Sequence, residues 1–76
     1  MNIRKTANGD IQKVKNCTPA IKNALISKLR NSNAIIKAGT NITILSVETV
    51  GNTIWGKNYS GYVALSDGST EYCTKQ

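Results

Sequence analysis

The sequence predicts a mainly β fold, a small antiparallel barrel forming one domain over residues 1–76, with one inserted α-helix over about 19–30. Short β-branched runs separated by Gly- and Asn-bearing turns fill the second half. A stretch with a helix start and an apolar residue every fourth position interrupts the first half. A chain of 76 residues buries only ~60% of the surface it exposes when unfolded, which leaves room for one thin core.

The elements follow in order. "NIRKT" (2–6) and "IQKVK" (11–15) are two candidate strands around "ANGD", whose Asn8 and Gly9 form a strong turn pair. In "CTPAIKNALISKLRNSN", Thr18 suits an N-cap and Pro19 the first helical position, and Ile21, Leu25 and Leu29 share one face. Asn31, Ser32 and Asn33 end that helix, which leaves Lys22, Lys28 and Arg30 on or beside its exposed side, and "AIIKA" (34–38) returns to extended chain. The apolar stripe docks the helix on the barrel; a homodimer interface is its other use. "NITILSV" (41–47) is a strand between Gly39 and "ETVGNT", with Ile42 and Ile44 on one face. "TIWGK" (53–57) returns after a hairpin, "GYVAL" (61–65) follows "NYS", and "EYCTK" (71–75) closes the sequence after "SDGST".

The formal charge of +6 is uneven. Residues 1–38 hold Arg4, Lys5, Lys13, Lys15, Lys22, Lys28, Arg30 and Lys37 against Asp10 alone. That half favours a polyanion such as nucleic acid, an anionic membrane or the teichoic acids of a Gram-positive wall. Plain solubility of a small domain explains the lysines equally well. No run reaches the ~18 apolar residues of a membrane span. "MNIRKTANGD" has no apolar stretch behind its basic residues and so does not read as a signal peptide.

Catalytic constellations are missing. The composition has no histidine, which removes the commonest general base and every Ser/His or Cys/His dyad. Asp10, Glu48, Asp67 and Glu71 show no paired-carboxylate spacing, and there is no phosphate-binding glycine loop. Cys17 and Cys73 are too far apart for a CxxC metal or redox pair and read as free thiols, a disulfide tying the domain ends being the alternative. The chain is therefore expected to be no enzyme and to hold neither metal nor cofactor.

Three of the four aromatics fall within "TIWGKNYSGYVAL" (53–65). If Ile54 points inward, Trp55 points outward; if Val63 and Leu65 fill the barrel, Tyr62 and Ala64 face the other side. Tyr59 with Asn58 would complete a shallow aromatic platform suited to sugar rings and peptide stems. In the competing reading, Trp55 or Tyr62 caps an open barrel end as ordinary packing.

The stretch "AGTNITILSVETVGNTIWGKNYSGYVAL" resembles the second half of a bacterial SH3 (SH3b) domain, with Gly39, Ile42, Ile44, Leu45, Trp55, Gly56, Gly61, Tyr62, Val63 and Leu65 matching in order. "MNIR" resembles the Asn-hydrophobic-Arg opening of the same domains. The pattern departs from the family in the 34 residues between Arg4 and Gly39, where the helix would be an insertion, and in the stretched "SDGSTE". The resemblance implies an SH3-like barrel that binds bacterial cell wall, either peptidoglycan or an attached polymer. Such modules target a peptidoglycan hydrolase, an autolysin or a bacteriophage endolysin, whose catalytic domain belongs to the same parent protein. It implies ligand contact by Trp55, Tyr59, Tyr62, Tyr72, Asn58, Arg4 and Asn2, and a wall or extracellular location reached by delivery other than a signal peptide in this sequence. Two alternatives stand beside it. One is a nucleic-acid-binding small β-barrel, disfavoured because basic and aromatic residues do not interleave; the other is a protein-binding adaptor or inhibitor using the inserted helix.

Overall fold

The structure, a computed structural model, describes residues 1–73. Its regular part is one antiparallel sheet of three strands in the order β1-β2-β3, with β1 at Ser46–Val50, β2 at Thr53–Asn58 and β3 at Gly61–Ser66. Both connections are two-residue turns, so the turns set the register. Gly51, at φ +59°, and Asn52 place Val50 opposite Thr53, and Tyr59 with Ser60 places Asn58 opposite Gly61. An irregularity between Ile54 and Trp55 shifts the β2–β3 register by one residue.

The first half joins this sheet through single bridges. The Arg4 amide donates to the Tyr62 carbonyl at 2.8 Å and the Tyr62 amide donates back to Arg4 at 2.8 Å, so the opening segment pairs with β3. Ile3 in turn donates to Ala34 and Ala34 to Gln12, while Gln12 donates to Ile3 at 2.7 Å. These bonds gather a core of Ile3, Val14, Cys17, Leu25, Ala34, Ile36 and Val63, with Ile21, Ala24, Ile42, Ile44 and Leu65 packed partly against it.

Several expectations are corrected. The helix is the short α1, Pro19–Lys22, in place of 19–30. Beyond it the backbone pairs with the 35–37 segment: Ile26 donates to the Ile35 carbonyl and Lys37 to Ala24, with Leu25 bridged to Ile36. A twelve-residue helix is marginal in water, and these non-local bonds satisfy the Ile26 amide and the Ala24 carbonyl while Leu25 is buried. Leu29, expected on the helix's buried face, is 73% exposed. Thr18 has the extended backbone of an N-cap but makes no side-chain cap bond.

The strand expected at 41–47 is also displaced. Ile42 and Ile44 alternate with exposed Asn41 and Thr43 as predicted, but β1 begins at Ser46 and runs up to the turn, because Gly51 and Asn52 alone suffice to reverse the chain. "NIRKT" and "IQKVK" meet around a Thr6-to-Gly9 turn through the Arg4–Ile11 bridge and do not form strands; residues Val14–Asn16 make a 3-10 turn. Of "EYCTK", Glu71 bridges Ser66, and the amides of Tyr72 and Cys73 both donate to Leu65. Its last two residues lie outside the described part.

Candidate functional site

The β2–β3 turn is fixed from several sides. Asn58 Oδ1 accepts the Ser60 amide at 2.7 Å, bending the chain back within two residues. Ser60 Oγ accepts the Thr18 amide at 3.0 Å and lies 3.2 Å from Thr18 Oγ1, and its carbonyl accepts Gln12 Nε2 at 3.2 Å. Asn58 and Ser60 are thus buried polar residues holding the turn against the 12–18 segment, while Tyr59 between them is 73% exposed.

Beside this turn opens a cleft of about 170 Å³. Its walls are Thr18, Ala20, Ile21 and Ala24 on one side, residues 40–43 on another, and Asn58, Tyr59 and Ser60 at the end. Hydroxyls, carboxamides and aliphatic groups line it, and apart from the Tyr59 phenol no lining side chain is ionisable. Asn58 Nδ2 is buried without a hydrogen-bond partner among the described residues.

The other expected site residues fall in two further places. Trp55 pairs with Ala64, on the sheet face opposite Val63, but it is only 6% exposed. Its expected place on an open platform is corrected. The register shift next to it turns Ile54 outward to partial exposure, and the Arg4 guanidinium lies over the indole, 5.9 Å from the ring centroid. Arg4 Nη1 also donates to the Gly9 carbonyl at 2.8 Å, holding the guanidinium at that turn. Trp55 Nε1 is buried without a hydrogen-bond partner among the described residues. Tyr62 is half-buried beside this group, opposite Lys57, and Asn2 is exposed on the bridge to Ile35. Tyr72 sits apart, its hydroxyl donating to Asp67 Oδ2 at 2.7 Å. The structure therefore brings Asn58 and Tyr59 together at the cleft and separates them from Trp55, Arg4 and Tyr72.

No protein-family model, curated protein or solved structure matches this chain. The chemistry of the cleft itself has to indicate what it binds. Sequence reasoning missed Thr18, Thr40, Thr43 and Ser60, because Thr18 looked like a helix cap and "NYS" like a plain connection. The polar residues of "TNIT" (40–43) are the sequence signal that could have found Thr40 and Thr43.

Among the described residues no group of three His, Cys, Asp or Glu side chains converges as metal ligands, and no helix is long and apolar enough to cross a membrane. Cys17 and Cys73 are free thiols. Burial pushes both pKa values up, and Cys17 Sγ donates to the Lys13 carbonyl at 3.6 Å.

Proposed function

We propose that this chain is a non-catalytic module that binds bacterial cell wall, peptidoglycan or an attached polymer, and holds a peptidoglycan hydrolase or endolysin at its substrate. The sheet, with Arg4 paired to β3, would be part of the SH3-like barrel that the "AGTNIT…YVAL" pattern resembles. One observation carries the reading: the cleft beside the β2–β3 turn is lined by hydroxyls, amides and aliphatic carbon, with an exposed tyrosine at its edge and no Lys, Arg, Asp or Glu. Glycans and peptide stems present the complementary mixture, C–H faces that stack on an aromatic ring and hydroxyls or amides that exchange hydrogen bonds. A nucleic-acid groove would instead need basic side chains along the path of the phosphates, and none lines this cleft.

The test is sedimentation with purified sacculi from several Gram-positive hosts. The chain is expected to pellet with walls from at least one host and to leave their turbidity unchanged. Tyr59→Ala is expected to weaken pelleting about ten-fold while the melting temperature stays within a few degrees, because the ring is largely exposed. Absence of pelleting with every wall, full binding by Tyr59→Ala, or clearing of the suspension would each overturn the proposal.

A further inference from the structure

A second surface, remote in chemistry from the cleft, is built by two segments of the first half. The Val14 amide donates to Ser32 at 3.0 Å and the Lys15 amide to Arg30 at 2.9 Å, while Lys13 bridges Asn33 and its Nζ donates to Asn33 Oδ1 at 2.9 Å. These bonds lay Lys13 and Lys15 alongside the loop that carries Lys28 and Arg30. The same loop projects two aliphatic side chains, Ile26 at 64% and Leu29 at 73% exposure.

The loop is tied by hydrogen bonds of its own. Ser27 Oγ accepts the Leu29 amide at 3.2 Å and donates to Ser32 Oγ at 3.1 Å, and the Ser32 amide donates to the Leu29 carbonyl at 3.1 Å. A short turn thus holds Leu29 out between two cations in sequence, Lys28 and Arg30. Asp10 is the only acidic residue among the first 38.

From this juxtaposition we infer that the 26–30 loop and the 13–15 segment beside it form a docking surface for an anionic lipid bilayer. Exposed aliphatic side chains on a basic loop match an interface in which acyl carbon lies just below phosphate headgroups. The lipid tails take up the apolar side chains and the headgroups meet the cations. A nucleic acid would satisfy the charges alone, and no aromatic residue precedes Trp55 to stack its bases. This surface is independent of the wall-binding cleft, and the two are tested separately.

The experiment is co-sedimentation of the full chain with phosphatidylglycerol–phosphatidylcholine vesicles and with phosphatidylcholine vesicles at about 0.15 M salt. Partition into the anionic vesicles and not the neutral ones is expected. Lys28→Gln and Arg30→Gln should each weaken it about five-fold, and Leu29→Ser about five- to ten-fold. All three positions are exposed, so the variants should keep the wild-type melting temperature and any pelleting with sacculi. Failure to bind anionic vesicles, or equal binding to both kinds, overturns the inference. So does anionic binding that survives Leu29→Ser unchanged, or a single-stranded DNA that binds more tightly than the vesicles and displaces them, since either outcome marks a surface for charge alone.

Discussion

Residues 1–44 supply six of the seven core-cluster side chains yet contain only a four-residue helix and a 3-10 turn as regular structure, whereas residues 46–66 contain all three strands and supply Val63 alone. The contrast is sharpest between Leu25, buried in an irregular segment, and β1, every residue of which is exposed. Regular hydrogen bonding and burial are separate contributions here. The sheet is held by backbone ladders and tight turns, and the first half by side chains packed where isolated bridges bring them together.

The largest effect should come from testing that division directly. Leu25→Ala removes a fully buried side chain and should cost about 2–5 kcal/mol in urea unfolding, a large share of what a core this small provides. Val47→Ala, on the exposed face of a regular strand, should change stability by no more than about 0.5 kcal/mol. Leu29→Ala should be equally quiet, although helical spacing places it on one stripe with Leu25. A Val47 variant as damaging as the Leu25 variant would break the comparison.

The joint between the regions is the next place to press. Gly61 has φ +146°, and a Cβ there would run into the Arg4 carbonyl oxygen, with Ile3 Cγ2 close behind at 2.9 Å. The neighbouring residue, Tyr62, makes the two backbone bonds that tie β3 to the opening segment. Gly61→Ala should therefore cost about 1–3 kcal/mol and loosen the Arg4–Tyr62 pair before the β1–β2 hairpin. Native-state hydrogen exchange would read this as early loss of protection at the Arg4 and Tyr62 amides. Simultaneous loss at Val47 and Trp55 would show that the two regions open as one unit.

How far the sequence could be read follows the same line. β2, β3 and both turns were legible because their determinants are local: alternating β-branched and aromatic residues between Gly51-Asn52 and the Asn58-to-Gly61 turn. The extent of the helix was not, because the pairing of Leu25 with Ile36 decides it, and the spacing of Ile21, Leu25 and Leu29 does not contain that contact. Trp55 was taken as outward and open with Ile54 inward, whereas Trp55 is buried and Ile54 exposed; that burial depends on a register irregularity and on Arg4, far away in the chain. Of the cleft, Asn58 and Tyr59 were legible as a turn pair with an aromatic, while the bonds from Thr18 and Gln12 to Ser60 exist only after folding.

The smallest effect belongs to the segment after β3, where neither a ladder nor a core is at work. Asp67 organises that turn with its own carboxylate: Oδ1 accepts the Ser69 amide at 2.9 Å and the Thr70 amide at 2.7 Å, and Oδ2 accepts the Tyr72 hydroxyl. The Tyr72 hydroxyl first, then these amides, lower its pKa to about 2, and the same bond raises that of Tyr72. An unfolded Asp titrates near ~3.9, so the folded state favours the charged carboxylate, and this contribution is whole above about pH 4 and fades as pH falls through about 2. At the alkaline end the sign reverses: the protonated phenol is favoured, and its contribution is lost as pH rises past ~10. Because the pair is exposed, the expected readout is local. NMR titration should give Asp67 an inflection near 2 in the native chain and one nearer the ordinary carboxylate range in Tyr72→Phe, with urea unfolding at pH 7 almost unchanged. If Asp67 in the native chain instead titrates close to ~4, the bonds at this turn do not persist in solution. The end of the sheet would then be held only by the Tyr72 and Cys73 amides on Leu65 and the Ser66–Glu71 bridge.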